Sequence, residues 1–105
     1  MKIVKVTYTA KQEYMAQNSE NIRAVMNDLQ QLNHPGIHYH VCLGQNGLTF
    51  THNAFFESEA TQKILFELES FKHFQEQLKK HGLDTPPQQE LLTLVGTSNN
   101  ILQTN

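Results

Sequence analysis

Residues 37–57 constrain this fold more than any other stretch of the chain. Ile37, Tyr39, Val41 and Leu43 alternate with His38, His40 and Cys42. After Gly44-Gln45-Asn46-Gly47 the alternation resumes, with Leu48, Phe50, His52, Ala54 and Phe56 set against Thr49, Thr51, Asn53 and Phe55. A period of two with β-branched and aromatic residues specifies strands, and Asn-Gly between two such runs specifies a hairpin. Two-residue and four-residue loops both fit this turn, and both put the Ile37 set on the same face as the Leu48 set. That face is the more apolar, so it is assigned to the core. His38, His40, Cys42, Thr49, Thr51, Asn53 and Phe55 then share the opposite face.

The flanking segments complete a topology. Residues 2–9 alternate, with Val4, Val6 and Tyr8 on one face and Ile3, Lys5, Thr7 and Thr9 on the other. Over 13–33, Met15, Ile22, Val25, Met26, Leu29 and Leu32 form one stripe at helical spacing. Asn18, Glu20, Arg23, Asn27 and Gln30 are placed on the opposite side, and Pro35-Gly36 ends the helix. Ser58 reads as an N-cap before Ile64, Leu65 and Leu68. Ser70 reads as a second cap before Phe71, Phe74 and Leu78, and Gly82 as the residue that closes this segment. Thr85-Pro86-Pro87 is a rigid loop, and residues 90–96 make the last strand. The order β-α-β-β-α-β is the ferredoxin-like split unit of the α+β class. It predicts a four-stranded antiparallel sheet of order 4-1-3-2 with both helices on one face. Residues 1–96 form that domain and 97–105 a polar tail, apart from Ile101 and Leu102.

Such a sheet leaves one face bare. A chain of 105 residues buries a limited share of its surface, so association is a natural way to bury more. Phe55 and Cys42 on the bare face point to a cover. Eight basic against ten acidic residues exclude a phosphate-neutralising surface; Gln and Asn together outnumber these charged residues. RNA-recognition domains share the topology but need a basic lead and outward aromatics on the third strand. Here Gly47-Leu48-Thr49-Phe50-Thr51-His52 has no such lead, and Phe50 faces the helices. No apolar run approaches the roughly 20 residues of a membrane span. Met1 leads directly into a strand pattern, without signal-peptide character. A lone Cys suits a reducing compartment, so the expected setting is cytoplasmic, with neither nucleic acid nor membrane as partner.

His52 interrupts an otherwise apolar face. Burial keeps an imidazole neutral, and a neutral imidazole at a cavity can accept a proton or hold a ligand. The alternative is a core His satisfied by a Tyr hydroxyl. Tyr8, Tyr14 and Tyr39 are the available hydroxyls. His38-x-His40 supplies two of the three or four ligands a metal needs, and no carboxylate lies on the hairpin strands before Glu57. A polar seam across which protonation weakens a dimer is the expected role, with no metal. Cys42 has no cationic neighbour in sequence and reads as a quiet buried thiol. Gly44-x-x-Gly47 lacks the Lys-Ser/Thr of a phosphate loop, and no nucleophile elbow is present.

Two segments carry a resemblance. Phe55-Phe56-Glu57-Ser58-Glu59-Ala60 runs from a strand into a helix, and Ser70-Phe71-Lys72-His73-Phe74 marks a break in that helix. With the topology, these resemble the dimeric α+β-barrel superfamily, nearest its antibiotic-biosynthesis-monooxygenase branch. The match spans residues 2–96; the break carries an extra residue and lacks the branch's Pro. The resemblance implies that two sheets pair face to face into a closed barrel with the helices outside. It also implies a cavity between sheet and helices for a small organic molecule. Some members oxygenate aromatic polyketides without metal or flavin. Others degrade haem with an Asn on the first strand and a Trp and a His on the second helix. The matching places here hold Thr7, Leu65 and a position near Gln75, and the chain has no Trp, so haem degradation is not expected.

The expectation is therefore a homodimer that binds a small organic molecule, aromatic or polyketide-like, with cofactor-independent monooxygenation as its candidate activity. His52 is the candidate base and Tyr39 its hydrogen-bond partner. Tyr8, Phe50, Leu65 and Phe74 are the candidate ligand contacts, and no cofactor is expected. The competing expectation is a non-catalytic dimeric binding or stress-associated module in which His52 is structural.

Overall fold

A computed structural model describes residues 1–102. Four strands form one antiparallel sheet: β1 (Lys2–Thr9), β2 (Ile37–Leu43), β3 (Thr49–Phe56) and β4 (Gln88–Leu92). Their order is β2-β3-β1-β4, the predicted 4-1-3-2 read from the other edge. The helices are α1 (Met15–Leu32), α2 (Glu59–Glu67) and α3 (Glu69–Gln77). A 3-10 turn over Gln12–Tyr14 leads into α1, and a π turn over Leu78–Gly82 follows α3.

The hairpin uses the longer of its two loops. Leu43 pairs with Phe50, and the Gly44 N–H bonds the Thr49 carbonyl at 2.7 Å, which leaves residues 45–48 as the loop. Asn46 closes it, because its Oδ1 accepts from the Leu48 and Thr49 amides. Gly47 takes φ +75°, a conformation that costs glycine little. The face assignment follows from this register. Phe50, His52, Ala54 and Phe56 are all buried, and the three apolar ones pack with Ile22, Val25, Leu65, Phe71, Phe74 and Leu78 in one cluster.

Four local readings change. The helix ends at Asn33 in the left-handed conformation (φ 50°), whose N–H bonds the Leu29 carbonyl; Pro35 and Gly36 lie beyond. Ser58 caps α2, accepting from the Thr61 amide, but Ser70 caps nothing. The break falls at Leu68, which is extended (ψ 129°), and its carbonyl takes the Phe71 and Lys72 amides. Ser70 Oγ, in the first turn of α3, is buried with no partner among the described residues. Gly82 has no positive φ. It is needed instead for close approach, because a Cβ there would run into the Tyr14 ring.

The last strand runs over 88–92 rather than 90–96. Its antiparallel ladder pairs Gln88 with Thr7 and Leu92 with Ile3. At that register Thr93 would face Lys2, the first residue of β1, and Leu94 would pass the end of that strand. Leu94 and Val95 are left outside the sheet and exposed. In the tail, Leu102 is buried; residues 103–105 lie outside the described part of the chain. No described helix is long and apolar enough to cross a membrane.

Candidate functional site

His52 sits mid-sheet, between Val6 of β1 and Val41 of β2. Tyr8 pairs with Phe50 and Tyr39 with Ala54, one step to either side of His52 along its own face. Diagonal neighbours on a sheet are within reach of aromatic side chains. The two hydroxyls therefore converge on the ring from opposite strands. Tyr8 Oη lies 2.8 Å from Nε2 and Tyr39 Oη 2.7 Å from Nδ1. Phe74 of α3 brings its ring to 5.4 Å from the imidazole between centroids, and Phe50 stacks on Tyr8 at 5.5 Å.

The chain extends into α1. Asn18 Nδ2 donates to Tyr8 Oη at 2.9 Å. A parallel chain runs beside it, with Gln17 Nε2 donating to Asn21 Oδ1 and Asn21 Nδ2 donating to Tyr14 Oη. Both asparagines are buried, Asn18 completely, which overturns the sequence placement of Asn18 on the outer side. The signal was present: Tyr14, Asn18, Asn21 and Val25 recur at three- and four-residue steps and make their own buried stripe. Reading only apolar residues as inward hides it, because a buried amide is tolerated once its hydrogen bonds are made.

Burial lowers the His52 pKa to about 4, so the ring is neutral at neutral pH. Burial likewise pushes the Tyr8 and Tyr39 hydroxyls well above the ordinary phenol range; for Tyr8 the Asn18 bond pulls back against it. All groups of the chain are thus neutral, and hydrogen bonds alone set its order.

Between the sheet and α3 lies a cavity of about 720 Å³, within the usual range for small-molecule sites. Tyr8, Tyr39, His52, Phe71 and Phe74 line its inner part, and Lys72, Gln75 and Lys79 stand among its other walls. Of the six candidate residues, the fold brings His52, Tyr39, Tyr8 and Phe74 together here. Phe50 lines instead a second cleft of about 650 Å³ between α1 and the β2 edge, which shares Tyr39 with the first. Leu65 is 2% exposed in the core and lines neither. The signal for Lys72, Gln75 and Lys79 was their helical spacing beside Phe71, Phe74 and Leu78.

On the other face, His38 and His40 make an edge-to-face pair at 5.7 Å between ring centroids, both against Phe55. Among the described residues no group of three or more His, Cys, Asp or Glu could hold a metal ion. Cys42 is exposed rather than buried, because its side of β2 carries no helix.

These features define a ferredoxin-like α+β fold with a polar chain threading its sheet–helix core. Solved structures sharing this fold include one named antibiotic biosynthesis monooxygenase (TM-score 0.73, 15% identity, covering 91% of this chain and all of that one). Rv0793 from Mycobacterium tuberculosis matches with a TM-score of 0.76 at 10% identity, over 93% of this chain and 98% of that one. PA3566 from Pseudomonas aeruginosa matches with a TM-score of 0.75 at 14% identity, over 90% and 94%. The resemblance to the antibiotic-biosynthesis-monooxygenase branch of the dimeric α+β-barrel superfamily thus holds at the level of the fold. No family model matches the sequence, and no curated protein matches it.

Proposed function

We propose that this protein is a homodimer that binds a small aromatic molecule in the cavity between sheet and α3. The observation that carries the reading is the Tyr8–His52–Tyr39 chain in the wall of a 720 Å³ cavity. Aromatic and apolar walls with a few convergent polar groups are the general pattern of such sites. The second copy covers the face bearing His38, His40, Cys42 and Phe55, the one large face that the helices leave bare.

Within this reading the finer activity is cofactor-independent oxygenation of the bound aromatic. A His with a pKa of about 4 holds an added proton weakly, and both of its ring nitrogens are engaged by Tyr8 and Tyr39. Taking one from an ordinary phenol, some six units higher, costs about 8 kcal/mol. The imidazole therefore orients the two tyrosine hydroxyls, and substrates suited to this site are far more acidic than phenol or bind as anions. The rival reading, a structural His52 in a non-catalytic module, draws on one observation: both ring nitrogens are already bonded within the protein.

The test is a panel of planar aromatic ketones and phenols, titrated by calorimetry, with oxygen consumption followed in parallel. A folded His52→Ala variant is expected to lose binding about tenfold or more. Unchanged binding and turnover in that variant would assign His52 to structure. Sedimentation at micromolar concentration is expected to give twice the 12.1 kDa chain mass; a monomer would remove the dimer.

A further inference from the structure

The buried polar chain has a direction, and Asn18 sets it. Asn18 Oδ1 is buried with no partner among the described residues, whereas Nδ2 bonds Tyr8 Oη. Turning the amide over would put the NH₂ where there is no acceptor and strand both of its hydrogens. As it stands, one acceptor and at most one hydrogen go unmet. Buried orphan N–H groups are rarer than under-used carbonyls, so the amide keeps its donor toward Tyr8.

The rest follows from counting protons. Tyr8 Oη accepts from Asn18, so its own proton goes to His52 Nε2, 2.8 Å away. A neutral imidazole with Nε2 accepting carries its hydrogen on Nδ1. That hydrogen is donated to Tyr39 Oη at 2.7 Å. The Tyr39 proton is then the one hydroxyl proton of the chain with no acceptor among the described residues, and Tyr39 lines the cavity as well as the cleft beside α1.

We propose that Asn18 is a positioning residue that fixes the His52 tautomer, so that Tyr39 offers a hydrogen-bond donor to the cavity. The ligand class that fits presents an acceptor at that point, a ketone, quinone or anionic oxygen on a planar ring system. This rests on the cavity being a binding site, but the tautomer can be measured without any ligand.

Two-bond nitrogen–proton correlation spectra of the uniformly ¹⁵N-labelled protein distinguish the two His tautomers. The wild type is expected to carry its hydrogen on Nδ1 of His52. Asn18→Asp, whose oxygens can only accept from Tyr8 when ionised, is expected to move it to Nε2. Asn18→Leu keeps the volume and removes both polar groups, and is expected to give a mixture. A wild-type spectrum with the hydrogen on Nε2 overturns the proposal whether or not either variant folds. For the ligand, fluorenone (acceptor), carbazole (donor) and fluorene (neither) share one outline. The wild type is expected to prefer fluorenone over the other two by about five- to tenfold, and Asn18→Asp to lose that preference. Equal binding of the three, or a preference for carbazole, overturns the acceptor assignment. Failure of all three to bind overturns the ligand class together with the cavity reading, and is distinguished from failure of the polarity by the ligand-free spectra.

Discussion

The two faces of the sheet are built from alternate residues of the same strands, and they handle the same side-chain types in opposite ways. Phe56 on the helix side is 1% exposed, while its neighbour Phe55 is only half-buried. His52 is sealed between two hydroxyls, while His38 and His40 are exposed and rest on Phe55. The difference comes from what packs on each face. The helices exclude water from one, so a buried polar group there is costly without a partner within the chain; Asn18 Oδ1 and Ser70 Oγ are the atoms left without one among the described residues. The other face keeps water, or a second copy, as its partner.

The largest expected effect contrasts the two phenylalanines. Phe56→Ala should cost about 3–5 kcal/mol in urea unfolding, as a large cavity opens in packed surroundings. Phe55→Ala should leave the fold within about 1 kcal/mol of the wild type and weaken self-association instead. Equal losses of fold stability would break the contrast between the faces.

Acid should expose the sealed imidazole next. The folded pKa of His52, about 4, lies below its unfolded value near 6.5. The unfolded state therefore binds the proton first, and stability falls as the pH drops from about 6.5 toward 4. The loss across that window is about 3 kcal/mol, and it is already complete below the folded value. Urea midpoints for wild type and His52→Phe across pH 4–8 should separate this contribution, with the variant showing the flatter profile.

Tyr8→Phe should cost about 1–3 kcal/mol, because it strands the Asn18 amide and one nitrogen of His52 while leaving the ring in place. A urea midpoint matching the wild type would mean that water replaces the hydroxyl. The smallest effect is one of access. Cys42 should react with iodoacetamide readily in dilute protein and progressively more slowly as concentration favours the dimer. A rate independent of concentration would leave that face uncovered.

Much of the fold was legible because alternation and helical spacing are local properties. The 37–57 hairpin needed no tertiary information to assign Phe50, His52, Ala54 and Phe56 to one face, since parity is preserved in either register. The loop length was not legible. It depended on Asn46 closing a four-residue turn with its side chain. The site was half legible: His52 stood out as a polar residue on an apolar face, and the Tyr residues were its natural partners. Asn18 did not stand out, because an amide on a helix is ordinarily outward, and only the packing of α1 over Tyr8 brings it to the chain. β4 ends at Leu92, opposite Ile3 near the start of β1, and does not follow the apolar run Leu91-Leu92-Thr93-Leu94-Val95 to its end.

By itself, then, the sequence determined the order of elements, the inward face of each strand and the presence of a lone His within the core pattern. These depend on backbone periodicity and on water's preference for polar groups. The tertiary structure decided how two Tyr hydroxyls and one Asn amide meet that His, and which group of the chain faces the cavity. Hydrogen-bond direction depends on atoms from β1, α1, β2 and β3 arriving within 3 Å of one another, and no spacing along a single chain encodes that.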